Sequence, residues 1–184
     1  MRSGPLGVLS LAIVSSLGCN KDSHDLGPTD VDLDTGSRRN VLLIIADDMG
    51  KDATAGFPEG SVKPMTPHLD QIAASGVTFT NLWVNPTCAP TRASMITGRY
   101  GFRTGVTRSG RSLPTTETTL QSYIGLKTDN AYATAVVGKW HLSQSSTFDP
   151  EILGIDYYAG VLGAGPESYY EWSLTEDGVT TTET

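Results

Sequence analysis

Several polar side chains in this sequence stand directly after apolar runs, where they could do chemistry. Asp47 and Asp48 follow the apolar run at residues 40–46. Carboxylates are hard oxygen donors, suited to Ca²⁺ or Mg²⁺ rather than to a softer metal. An acidic pair at a strand end also has a simpler interpretation, in which one Asp caps the next turn and its neighbour is solvated. These two residues alone leave both interpretations open.

A second set of candidate reactive side chains includes Cys88, one of only two cysteines in the chain. Arg92 follows it four residues later, while Lys139 and His141 come after another apolar run at residues 131–137. A single cysteine is ordinarily a small buried hydrophobic residue, and a single arginine a solvated cation. In an oxidising compartment, however, a leftover thiol is a liability unless it has been chemically converted.

The elements that would position these residues alternate between strand and helix patterns. Apolar and branched residues predict strands at residues 40–46, 77–84 and 131–137, whereas helical spacing and start signals predict helices at residues 67–75, 90–97 and 120–126. Such alternation predicts an α/β domain with a mainly parallel central sheet flanked by helices. In open parallel sheets, ligands bind beyond the carboxyl ends of the strands, where both polar clusters are expected. Residues 150–184 carry no pattern that predicts an element.

Residues 88–99, Cys-Ala-Pro-Thr-Arg-Ala-Ser-Met-Ile-Thr-Gly-Arg, resemble the sulfatase signature. In that family a maturation enzyme recognises the spacing matched here by Cys88, Pro90 and Arg92, and it oxidises the cysteine to formylglycine. Thr-Pro-His-Leu-Asp at residues 66–70 and Gly-Lys-Trp-His-Leu at residues 138–142 are similar to two further sulfatase elements. His68 stands where the family usually has Asn, and we interpret it as a helix-start residue. Trp140 is interpreted as a packing residue.

This resemblance implies a formylglycine-dependent, arylsulfatase-like enzyme with the alkaline-phosphatase-like fold of the sulfatases. One hydroxyl of the hydrated formylglycine would attack sulfur, and the other would later expel sulfate by collapse to the aldehyde. The implied catalytic residues are Cys88, Arg92, Lys139 and His141. The implied metal is Ca²⁺, or alternatively Mg²⁺, held by Asp47, Asp48 and the oxidised side chain of Cys88.

The same resemblance implies that residues 40–184 are the N-terminal part of a sulfatase domain, incomplete at its C-terminal end. The remaining metal ligands and the residues that protonate the leaving group are expected beyond Thr184, so we expect this chain alone to be inactive. Its implied partners are a sulfated small molecule or glycan and the formylglycine-generating maturation enzyme. Two alternatives stay open: a phosphonate or phosphate ester hydrolase of the same superfamily, and a tethered binding module without catalysis.

The first 19 residues predict an export signal. Arg2 gives a positive end, and residues 6–17 form a mostly apolar run that is too short to span a bilayer stably. The run closes at Cys19 in a sequence resembling a lipoprotein box, so Cys19 is either lipidated or removed by ordinary signal cleavage. Residues 20–39 are predicted to be a flexible linker. We therefore expect an exported protein, periplasmic or tethered to the outer membrane of a bacterium.

Charge argues against one class of partner. The net charge of -7 and the pI near 4.8 are unsuited to a general nucleic-acid binder, whose affinity comes from clustered Lys and Arg. An anionic substrate would have to be held by local cations. The only predicted route to a membrane is a lipid anchor at Cys19.

Overall fold

The computed structural model describes residues 39–143 and 146–184. The predicted signal segment at residues 1–19, Cys19 and nearly all of the predicted linker at residues 20–39 therefore lie outside the described residues. The described residues divide into two compact units, residues 39–83 and residues 84–184. No helix in the described part of the chain is both long and apolar enough to cross a membrane.

The unit of residues 39–83 contains one helix, α1 (Pro67–Ser75), and a short 3₁₀ turn at Lys51–Ala53. Pro67 stands at the start of α1, where its fixed φ suits a helix and its missing N–H costs no hydrogen bond. Gly76 follows the last helical residue. The predicted helix at residues 67–75 is thus confirmed. His68 is an exposed residue in the first turn of α1, as its interpretation as a helix-start residue requires.

The predicted strands at residues 40–46 and 77–84 are wrong. Neither segment pairs with another strand among the described residues. Val41 is 64% exposed, and Val77 is 80% exposed. An apolar run becomes a strand only where a neighbouring segment completes its backbone hydrogen bonds, and apolar composition alone does not provide that neighbour.

The unit of residues 84–184 holds one sheet and four helices among its described residues. The helices are α2 (Cys88–Thr97), α3 (Gly101–Thr104), α4 (Leu120–Thr128) and α5 (Asp149–Ile152), and the strands are β1 (Ala135–Val137), β2 (Tyr157–Gly160), β3 (Trp172–Glu176) and β4 (Val179–Glu183). The sheet order is β1-β2-β3-β4. Strands β1 and β2 are parallel, whereas β2–β3 and β3–β4 are antiparallel. The α/β class is confirmed, but the described sheet is mixed rather than mainly parallel.

The antiparallel end of the sheet follows from a tight turn. Asp177 and Gly178 connect β3 to β4, and both have positive φ, 43° and 82°. Asp-Gly is a preferred pair for a two-residue hairpin, because both central residues must adopt the left-handed region. Asp177 also ties the hairpin to β2, since its Oδ1 accepts a hydrogen bond of 2.9 Å from the backbone N–H of Tyr158.

The hydrophobic core of this unit lies between α2, the parallel strand pair and the loops around them. One face of α2 contributes Ala89, Ala93 and Ile96, which recur at helical spacing. Other core members come from loops and strands: Val106, Leu113, Trp140, Leu142, Leu153, Ile155 and Tyr158. Each fully buried leucine of this kind stabilises the fold by about 1.5–3 kcal/mol. The core therefore fixes both α2 and the loop after β1, which hold the reactive side chains.

Candidate active site

Cys88 is the first residue of α2. Thr87 precedes it in extended conformation, and the Thr91 hydroxyl donates to the carbonyl of Thr87 at 2.9 Å, which fixes the entry into the helix. Cys88 is a partly exposed free thiol, whereas the next two residues are buried. The first N–H groups of a helix lack intrahelical partners, and the helix dipole is positive there. The side chain at position 88 therefore lies where developing negative charge is favoured.

The loop that carries Lys139 and His141 continues the parallel pairing of β1 with β2. Backbone hydrogen bonds join Gly138 to Ala159 at 2.8 Å, Trp140 to Val161 at 2.9 Å and His141 to Leu162 at 2.9 Å. This close approach needs glycine at position 160, because a Cβ there would lie 1.8 Å from the carbonyl oxygen of Gly138. The loop after β1 is thus held in register by the backbone.

His141 has a positive φ of 57°, an unusual conformation for a residue with a side chain. Such a conformation costs on the order of 1–3 kcal/mol and persists only where the surroundings enforce it. Its neighbours Trp140 and Leu142 are both buried in the core. The imidazole Nδ1 lies 3.1 Å from the sulfur of Cys88. The strained backbone thus accompanies a direct contact between two residues that the sequence predicts to be catalytic.

Arg92 connects α2 to the same loop. Its side chain is only 8% exposed, and Nη1 donates a hydrogen bond of 2.6 Å to the carbonyl oxygen of Lys139. Tyr158 lies close by, and its hydroxyl donates to the carbonyl oxygen of Gly138 at 3.3 Å. Burial raises the pKa of Tyr158, and the charge of Arg92 opposes part of that shift. A buried arginine in this place positions the loop of Lys139 and His141 against Cys88.

Trp140 packs as its interpretation from sequence predicts. It is 1% exposed, makes an edge-to-face contact with Tyr158 at 6.2 Å between ring centroids, and donates from Nε1 to Ser143 at 2.8 Å. Its indole N–H is therefore satisfied inside the core.

Ser109 is a neighbour of Cys88 that no sequence pattern indicates. Its hydroxyl oxygen lies 3.8 Å from the sulfur of Cys88, a hydrogen-bonding distance for sulfur in which either group can be the donor. No motif surrounds Ser109, and its only signal is position in the loop that follows α3. The thiol at position 88 consequently has polar neighbours from two separate loops.

The structure brings Cys88, His141, Arg92 and the backbone of Lys139 together in one unit. Asp47 and Asp48 belong to the other unit, residues 39–83, where both are exposed and Asp48 has a φ of 55°. Within the described residues, no group of three or more His, Cys, Asp or Glu side chains is gathered as a metal site. The shared metal site of Asp47, Asp48 and Cys88 stays a prediction.

The protein has an α/β architecture in which a cysteine at a helix start contacts a histidine in the loop after a parallel strand. Comparison with known families then identifies the family. The sulfatase family model matches residues 39–181, and the chain belongs to the sulfatase family.

Named relatives agree with this assignment. Arylsulfatase G of Homo sapiens is 39% identical over 133 residues, which are 68% of this chain and 24% of that protein. Steryl-sulfatase of Homo sapiens is 34% identical over 143 residues, again 68% of this chain and 24% of that protein. The chain spans about a quarter of the length of the curated relatives it matches.

The fold has a counterpart among solved structures. A protein solved in complex with its substrate D-glucosamine-2-N,6-O-disulfate is 27% identical to this chain, with a TM-score of 0.57. The match covers 73% of this chain and 25% of that protein. The solved neighbour therefore shares the alkaline-phosphatase-like sulfatase fold with the present chain.

Proposed function

We propose that the protein is a sulfuric ester hydrolase whose nucleophile is formylglycine made from Cys88. The observation that carries this proposal is the 3.1 Å contact between the sulfur of Cys88 and Nδ1 of His141, at the start of a helix that contains the sulfatase signature. Polar neighbours on two sides suit an oxygen-bearing side chain at position 88. Formylglycine supplies there an aldehyde carbon that a thiol lacks.

Each side chain around position 88 has a different proposed role in the reaction. Nδ1 of His141 lies where it can exchange a proton with the side chain of residue 88. The guanidinium of Arg92 holds the carbonyl of Lys139 and fixes the loop. The partly exposed Lys139 has an ammonium group on a flexible stem, and it binds the anionic sulfate or the leaving oxygen.

Asp47 and Asp48 are the residues of this chain that would hold Ca²⁺ or Mg²⁺. Their donor atoms are all carboxylate oxygens, so the set fits a hard cation in kind. Two carboxylates offer fewer oxygens than the six or more that Ca²⁺ coordinates. When bound, the cation supplies positive charge that polarises the oxygens of a sulfate ester. The two Asp side chains serve to bind and orient it.

The substrate we propose is a sulfated sugar or another sulfated small molecule. The relatives are named arylsulfatase and steryl-sulfatase, and the solved neighbour binds a sulfated glucosamine as its substrate. These names support sulfate esters as a class. A comparison of the rates of sulfate and phosphonate ester hydrolysis distinguishes the phosphonate and phosphate ester alternative.

We also propose that the protein is exported and works in the periplasm or tethered to the outer membrane. The basis is the signal-like segment that ends at Cys19. Labelling cells with a radioactive fatty acid tests the tether: a lipoprotein is labelled, and Cys19→Ser removes the label. An unlabelled parent protein that is still exported would favour ordinary signal cleavage.

The natural full-length protein, produced together with a formylglycine-generating enzyme, tests the activity. Mass spectrometry should find the aldehyde at position 88, and 4-nitrophenyl sulfate should be hydrolysed faster than a matched 4-nitrophenyl phosphonate. Cys88→Ala should abolish turnover. A preference for the phosphonate would establish the alternative hydrolase. An unconverted thiol without turnover would instead indicate a binding module.

A further inference from the structure

The loop between α3 and α4 places a sharp turn beside the nucleophile position. Val106 and Leu113 anchor the loop in the core, at 0% and 1% exposure, and the N–H of Leu113 donates to the carbonyl of Leu142 at 2.9 Å. Between these anchors, Gly110 has a positive φ of 79° and forms the turn with Ser109. The hydroxyl of Ser109 contacts Cys88 at 3.8 Å. The tip of this loop is therefore fixed next to residue 88.

Two arginines flank the turn. Arg108 immediately precedes Ser109, and Arg111 comes two residues after it, so their Cα atoms lie within roughly two residue lengths, ~3.8 Å each, of Ser109. Both side chains are exposed. Neither has a hydrogen-bond, ion-pair or ring partner among residues 39–143 and 146–184.

The other arginines of residues 84–184 are engaged within the fold. Arg92 donates to Lys139, Arg99 pairs with Glu117, and Arg103 lies over the ring of Phe102 at 5.3 Å. Arg108 and Arg111 thus differ from them in contributing no described contact. Two cations that stand three residues apart and have no carboxylate partner form no ion pair that would stabilise the fold. They are, however, well suited to an anion that arrives with the substrate.

We propose that Arg108 and Arg111 bind a second anionic group of the substrate, next to the sulfate that reacts at position 88. The guanidinium group matches sulfate and carboxylate oxygens with two parallel hydrogen bonds. The substrate class is consequently a sugar that bears the reacting sulfate and a further sulfate or carboxylate. This assignment rests on the proposed sulfatase function and deepens it.

Equilibrium binding to the calcium-loaded full-length protein tests the assignment, with Cys88→Ala in every sample so that no ligand is consumed. The two ligands are D-glucosamine-2-N,6-O-disulfate and N-acetyl-D-glucosamine 6-sulfate, which share the 6-sulfate and differ at the 2-nitrogen, where the first carries a sulfate and the second a neutral acetyl group. The parent should prefer the disulfate by about ten- to hundredfold, the range expected when a charge-assisted hydrogen bond is gained. Arg108→Gln with Arg111→Gln should remove that preference and leave the affinity for the monosulfate within about twofold.

Lys127→Gln is the matched control, because it removes an exposed cation from α4 instead of from the loop. It should leave the preference unchanged. A parent without preference, or a double variant that keeps it, overturns the arginine assignment.

Turnover of 4-nitrophenyl sulfate by the otherwise unmutated, matured protein separates this failure from failure of the proposed function. If that ester is hydrolysed but the disulfate is not preferred, the result supports the sulfatase function and contradicts the assignment of Arg108 and Arg111 to a second anionic group. If it is not hydrolysed, the binding data still decide the role of the two arginines.

Discussion

The sulfur of Cys88 lies 3.1 Å from Nδ1 of His141, although 53 residues separate them in the chain. The contact depends on two local features: the start of α2 at Cys88 and the left-handed backbone of His141. Arg92 joins the two segments through the carbonyl of Lys139. The imidazole of His141 therefore lies against the side chain at position 88.

His141→Ala should therefore lower kcat of the matured full-length enzyme by about 10²–10⁴-fold, the usual contribution of a positioned acid or base. Formylglycine content, measured by mass spectrometry, should stay unchanged. His68→Ala is the matched control, because His68 is an exposed histidine in the first turn of α1. Equal losses in the two variants would contradict the assigned role of His141.

A second prediction concerns the timing of maturation. Pro90 is fully buried and Arg92 is 8% exposed. The maturation enzyme therefore cannot bind these two side chains in the folded chain. Conversion of Cys88 should then precede folding of α2. Folded thiol-form protein mixed with the maturation enzyme should show no aldehyde at position 88, whereas the same chain converted during synthesis should.

Two point variants test which arginine of the signature segment the maturation enzyme recognises. Arg92→Ala should prevent conversion during synthesis, while Arg99→Ala, an exposed position of the same segment, should convert substantially. Efficient conversion of the fully folded thiol form would show that the segment opens more readily than its burial indicates.

Local signals predicted the helices better than the strands. Pro67 and Gly76 bound α1 as expected, and α4 begins at the predicted position with a capping box between Thr119 and Ser122. Helix α2 starts at Cys88, two residues before its predicted start at Pro90. Helices close their hydrogen bonds within one segment, so local sequence placed the three longer helices. The four-residue helices α3 and α5 were not predicted, because so short a segment carries no helical spacing.

Strands depend on partners that local sequence does not identify. Residues 40–46 are more apolar than β4, yet among residues 39–143 and 146–184 β4 has a strand partner and residues 40–46 have none. The β3–β4 hairpin could have been predicted from Asp177 and Gly178, a turn signal between a segment that contains Trp, Leu and Thr and a segment rich in Val and Thr. Of the site, the Cys88 and His141 pair was predictable through the family motifs. Ser109 was not, because a contact between a lone serine and Cys88 exists only in the folded loop.

The third prediction follows from the buried Tyr158. Burial holds its pKa above the ordinary value of 10.0, so above pH 10 the tyrosine ionises more readily in the unfolded chain than in the folded one. The contribution of the neutral Tyr158 to the free energy of unfolding is fully present below pH 10 and is lost as the pH rises above it. The free energy of unfolding should fall by at most about 1.4 kcal/mol per pH unit on this account.

Urea unfolding of the protein between pH 8 and pH 11 measures the effect. Tyr158→Phe should unfold with a shallower loss of stability above pH 10 than the parent. Tyr169→Phe should follow the parent, because Tyr169 is 95% exposed. Parallel curves for Tyr158→Phe and the parent would rule out a distinct titration of the buried tyrosine.

The last prediction concerns the metal. Asp47 and Asp48 are exposed, adjacent carboxylates that follow an apolar segment, and they have the donor chemistry for Ca²⁺. Chelation should abolish hydrolysis of 4-nitrophenyl sulfate by the matured full-length enzyme, and added Ca²⁺ should restore it. Asp47→Asn and Asp48→Asn each remove a negative charge from the cation, so each should raise the Ca²⁺ concentration for half-maximal activity by at least about tenfold, since even outer-shell changes cost a metal site that much. Asp70→Asn removes an exposed carboxylate from α1 in the same unit and should leave the calcium dependence unchanged. An unchanged calcium requirement in Asp47→Asn and Asp48→Asn would exclude both residues as ligands, because the loss of a carboxylate that binds the cation directly must weaken its binding.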